Sequence, residues 1–147
     1  PRAAKEKAAK TDHPIQVTFP SDQDEDYTSG GVSLPIKVSL GSPIFIMVNL
    51  NFSTFVEMKK FILNKFKTAS DLALNHDYEE VLRTIMVSDL EMCALHFHAQ
   101  RRKHELFKTY NNVDIQRALA IRLLGSVWWM GPKIERTLVR RGHKKSG

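Results

Sequence analysis

Residues 92–103, MCALHFHAQRRK, place one cysteine and two histidines within six positions and follow them with bases. Thiolate and imidazole are the usual ligands of zinc and the usual partners in cysteine nucleophilic catalysis. The spacing decides between these chemistries. Cys93 and His96 are three apart and share one face of a helix, whereas His98 is five from Cys93 and lies nearly opposite. His104 returns to the first face roughly 16 Å further along the axis. A zinc ion needs all its ligands within about 2.3 Å, so one helix cannot assemble the site. Only a metal shared between two chains would satisfy it. A Cys–His nucleophile would sit in mid-helix without glycine-rich access or oxyanion donors. The adopted reading is a helix end packed against another helix, with no metal, no cofactor and no catalytic residue.

Other catalytic patterns are missing from the sequence. There is no GxxxxGK[ST], no GxSxG and no acidic pair in an apolar setting. Trp128 and Trp129 read first as core or interface anchors and second as stacking surfaces for a base or a partner.

The elements that hold these residues follow from apolar spacing. The chain has 147 residues, a formal charge of +6 and a hydrophobic fraction of 42 %, which suits one domain with an acidic partner such as nucleic acid. A single cysteine excludes an internal disulfide. No apolar run approaches the roughly 20 residues of a membrane span. The polar opening, PRAAKEKAAK, does not read as secretory. Residues 1–30 read as a mostly disordered tail, with an acidic patch at SDQDEDY.

Residues 32–50, VSLPIKVSLGSPIFIMVNL, read on their own as two short strands with a turn at GSP. Thr54-x-x-Glu57 has the form of a capping box, followed by Phe55, Met58, Ile62 and Phe66 at helical spacing, which predicts a helix over 53–67. Asp77-x-x-Glu80 caps a second helix running to Lys103, roughly 40 Å long. A third helix runs from Asn112 to Gly125, and Pro132 marks a further helix start. The last stretch, KIERTLVRRGHKKSG, holds six bases and one acid. Its RRGHKK run reads as a solvated tail or a phosphate contact. Short, long and short helices in succession form a handshake pattern that requires a partner of the same shape.

Five segments in order, GGVSLPIK, IMVNLNFSTFV, FKTASDL, MCALHFHAQR and VDIQRALAIR, resemble a core histone of the H-three type over about residues 30–125. The resemblance implies an all-α histone fold (31–125) with an extra N-terminal helix and a basic C-terminal extension (126–147). It makes residues 43–50 helical, against the strand reading. It implies a non-enzymatic protein of chromatin, or of a virion if virus-encoded, that packages double-stranded DNA. Its partners would be an H-four-like histone, a second copy of itself, and H-two-A-like and H-two-B-like histones. Self-association would run through a four-helix bundle containing Cys93, Leu95, either His96 or His98, and Asp114. Phosphates would meet Lys59, Lys60, Lys65, Lys67, Thr68, Lys108 and Thr109, with Arg140, Arg141, Lys144 and Lys145 at the C-terminus.

The chain departs from that family in ways that weaken wrapping. Val48 and Thr54 stand where the family has DNA-facing arginines, and TASDLALN contains none. The alternatives are a histone-fold subunit of a transcription or kinetochore complex, or a basic helical subunit of a ribonucleoprotein.

Overall fold

The computed structural model describes residues 15–20, 27–41, 43–67, 71–103 and 111–146. Five strands precede four helices: β1 (Ile15–Thr18), β2 (Tyr27–Ser29), β3 (Val32–Leu34), β4 (Ile36–Ser39), β5 (Ile44–Val48), α1 (Ser53–Leu63), α2 (Leu72–Lys103), α3 (Asn112–Gly125) and α4 (Val127–Arg140). The fold is therefore α/β, and the expectation of an all-α histone fold is corrected. So is the helical assignment of residues 43–50. The reason is local: Ile36, Val38, Ile44, Ile46 and Val48 are buried while Lys37, Ser39 and Phe45 are exposed, an alternation of period two that no helix satisfies. The reading of 32–50 as two short strands about GSP matches β4 and β5, and a third strand, β3, precedes them in the same stretch.

β5 is the centre of a three-stranded sheet ordered β1-β5-β4, parallel to β1 and antiparallel to β4. β2 and β3 form a separate antiparallel hairpin. Ser29 pairs with Val32, so Gly30 and Gly31 alone make the turn, with φ of 59° and 78°. Two positive φ values are what a two-residue primed hairpin turn needs, and glycine supplies them without steric cost. Residues 15–18 and 27–29, assigned from the sequence to a disordered tail, are thus strands.

The helices lie against the apolar face of the sheet, with α2 on β1 and α3 on β4. α3 also closes the open edge of β4. Val38 N–H donates to Gln116 Oε1 at 3.0 Å and Leu40 N–H donates to Asn112 Oδ1 at 3.0 Å. A sheet edge with unpaired amides is a hazard, and here helix side chains satisfy two of them. Gln116 is buried because it does this.

The helix starts differ from those expected. α1 begins at Ser53 with no side-chain cap, so Thr54 and Glu57 do not form a capping box. α2 begins at Leu72, where the Asp71 carboxylate accepts from Ala73 N–H at 3.0 Å. Asp77 and Glu80 lie inside the helix. α3 matches its expected bounds and carries a true capping box between Asn111 and Asp114. Pro132 lies inside α4 rather than at its start.

α2 is long because its buried stripe is long: Leu74, Tyr78, Val81, Leu82, Ile85, Met86, Leu90 and Ala94. Beyond Ala94 none of its described side chains is fully buried, although Phe97 still packs against the core. α4 packs on both α1 and α2, inserting Met130, Ile134 and Leu138 into the common core.

Candidate nucleic-acid interface

The C-terminal segment does not project into solvent. α4 ends on Gly142, whose φ of 99° reverses the chain. Gly142 N–H donates to Val139 O at 3.0 Å and His143 N–H to Leu138 O at 3.1 Å, the paired bonds of a Schellman motif. The chain then runs beside the end of α1. Lys67 N–H donates to Lys144 O at 3.0 Å, and Ser146 N–H donates to Lys65 O at 2.8 Å.

Side chains fasten this return. His143 Nε2 lies 2.6 Å from Asp77 Oδ2, and Arg141 reaches Asp77 at 3.3 Å and Glu80 at 3.2 Å. The hydrogen bond to His143 holds the Asp77 carboxyl below its ordinary range, with desolvation opposing and the His143 and Arg141 charges adding to the effect. Glu135 pairs with Lys145 and with Lys65, the latter at 3.1 Å, and is lowered chiefly by its bond to Lys145.

These pairs divide the expected phosphate contacts into two groups. Arg141, Lys145, Lys65 and Lys59 are engaged, Lys59 with Glu79 at 2.8 Å. Lys60 is loosely paired with Glu57 at 3.7 Å, both exposed. Lys67, Arg140 and Lys144 have no acidic partner among the described residues, and neither has Arg136, which the sequence reading did not select. Arg136 and Arg140 are one helical turn apart on the exposed face of α4. With His143, Lys144 and Lys145 they line a shallow groove of about 730 Å³. Thr68, Lys108 and Thr109 lie outside the described residues.

The expected self-association residues are scattered. Cys93 and His96 line a cleft of about 430 Å³ between α2 and α3, with Asp89 and Arg122. Asp89 accepts from Arg122 at 3.5 Å and from Ser126 Oγ at 3.4 Å. Burial, then Asp89, pushes the Cys93 thiol up, the opposite of an activated nucleophile. Leu95 and His98 lie on other faces of α2, Leu95 exposed and His98 half-buried. Asp114 is occupied by its cap, accepting from Asn111 N–H at 3.0 Å.

One further cluster escaped sequence reasoning. His76, Asp77 and Glu80 bring ligand atoms within 4.8 Å of one another. The Arg141 guanidinium already bridges both carboxylates, so a resident cation opposes a second one. Also unforeseen is an apolar groove of about 490 Å³ between α1 and α4, bordered by Phe61 and Trp128. No helix of the described residues is long and apolar enough to cross a membrane. No protein-family model, curated protein or solved structure matches the chain.

Proposed function

We propose that the chain is a non-catalytic nucleic-acid-binding module whose phosphate contacts come from one face, formed by α4, the returning C-terminal segment and the end of α1. The observation that carries this reading is the grouping of Lys67, Arg136, Arg140 and Lys144, which have no acidic partner among the described residues, while their neighbours are neutralised in pairs. Cations left unpaired beside one groove present a fixed positive strip to a phosphate backbone. The nucleosomal part of the sequence expectation rested on handshake pairing with an H-four-like histone. That pairing belongs to the all-α fold and is not carried into this proposal, whereas the phosphate ligand rested on charge and is.

The test is fluorescence anisotropy of a labelled oligonucleotide with the wild type and the charge reversal Arg136→Glu/Arg140→Glu. Both side chains are exposed, so the fold should survive the change. Binding that disappears in the double variant supports the reading. Equal affinity in both proteins, or no binding by the wild type, overturns it.

A further inference from the structure

We infer that the ligand is single-stranded, with unpaired bases seated in the groove between α1 and α4 and stacked on Phe61 and Trp128. This rests on the nucleic-acid reading above and adds strandedness to it. Phe61 is 66 % exposed and Trp128 79 % exposed, although each belongs to a helix with a well-buried opposite face. Two large rings held in water on the borders of one groove form an unfilled apolar surface. The floor between them is also apolar, made by Met58, Ile62 and Gly131.

The charge around the groove selects the occupant. Its two acids are already answered, Glu57 by Lys60 and Glu135 by Lys65 and Lys145. Lys65 Nζ sits 4.4 Å from the centre of the Phe61 ring, adding a cation to the aromatic border. Glu135 and Lys65 line this groove, while Lys145, paired with the same Glu135, lines the basic groove together with Arg136. The apolar and cationic surfaces therefore meet at one ion-pair junction. A chain with phosphates along one side and flat apolar rings along the other matches both surfaces. A duplex keeps its bases stacked inside and would use only the cations, whereas a single strand offers both faces. An anionic membrane would meet the same charges. However, the rings border a concave groove, which suits a ring inserted between walls more than insertion into lipid.

The experiment follows tryptophan fluorescence on adding oligothymidylate, a duplex of equal length, heparin, or phosphatidylglycerol vesicles. The wild type should bind oligothymidylate more tightly than duplex and be quenched by it. Phe61→Ala/Trp128→Ala should lower affinity for oligothymidylate by about tenfold or more, from the loss of base stacking. Heparin binding should stay within about twofold, because no free cation is touched. Trp128→Phe keeps an aromatic surface and should restore most of the affinity. If the double variant binds oligothymidylate as the wild type does while heparin still binds, the stacking proposal fails and the phosphate reading stands. If the wild type binds neither heparin nor oligothymidylate, the phosphate reading fails and the proposal with it. Vesicles that shift the emission to the blue, with no response to oligothymidylate, would make the groove a membrane contact and overturn the proposal.

Discussion

Replacing Lys67, Arg136, Arg140 and Lys144 together by alanine should flatten the salt dependence of nucleic-acid binding. Each cation that neutralises a phosphate releases condensed counterions and contributes about 0.7 to the slope of log K against log salt on a single strand. Four free cations therefore account for a slope of about 3, enough for a threefold rise in salt to weaken wild-type binding about 20-fold. The engaged cations should behave differently. Arg141 already faces Asp77 and Glu80, so its replacement removes a fastening of the C-terminal segment and little counterion release. None of the four substituted side chains is ion-paired among the described residues, and Lys67 and Lys144 bond to each other through backbone groups that alanine keeps. Their replacement should change stability by less than about 0.5 kcal/mol. The assay is anisotropy of a labelled oligonucleotide between about 50 and 300 mM salt, with circular dichroism confirming the fold. An unchanged slope in the fourfold variant would refute the reasoning. So would Arg141→Ala, folded, flattening the slope as much as Arg140→Ala.

Tyr78 is fully buried, its hydroxyl has no hydrogen-bond partner among the described residues, and burial pushes its pKa up. Tyr78→Phe should raise stability by about 1 kcal/mol in denaturant unfolding, and a loss of that size would show that the hydroxyl has a partner. Asp114→Ala removes one of the two capping-box bonds of α3, the one from Asn111 N–H, and should cost about 0.5–1 kcal/mol with no change in solution mass by light scattering. A fall in mass at unchanged stability would instead favour the self-association role that the histone resemblance gave this residue. The folded-state pKa values of Asp77 and Glu135 are depressed, so their stabilisation is complete above the unfolded values and is lost as pH falls through the folded ones. The loss should begin as pH falls below about 4 and grow through the lower folded values, releasing the C-terminal segment, seen as movement of the Lys67 and Ser146 amide resonances toward random-coil positions. Resonances that hold their positions to pH 2 would show that packing, not charge, fastens the segment. Gly131→Ala should stabilise α4 by about 0.5–1 kcal/mol. Its new methyl would stand 3.7 Å from Ile62 Cδ1, an ordinary contact, and a lowered midpoint in thermal unfolding would contradict this.

What was legible in the sequence was local. The short apolar runs either side of GSP marked strands, and the apolar stripe from Val81 to Phe97 marked the long helix. Both follow from the periods of the backbone, which act over a few residues. The bounds of α3, Asn112 to Gly125, were legible too, whereas the Asn111–Asp114 capping box that fixes its start was not. The histone resemblance failed at fold level for the same reason in reverse. Short matches in helix-forming segments carry no information about what IFIMV pairs with, and it pairs with IQVT from the supposed tail.

By itself, then, the sequence determined the positive balance and the strand or helix character of most of the chain from residue 36 on, but not that Ile15–Thr18 and Tyr27–Ser29 are strands. It could not determine which cations are free. Arg140 and Arg141 are neighbours in RRGHKK, yet one faces solvent and the other spans Asp77 and Glu80, more than sixty positions earlier. Only the reversal at Gly142 and the packing of α4 on α2 bring those carboxylates within reach. The same packing leaves Trp128 in water on the groove that Phe61 also borders, while Trp129, one residue on, is half-buried. Charge is a property of composition, but its availability depends on distances of 3–4 Å between groups far apart in the chain, and those exist only in the folded molecule.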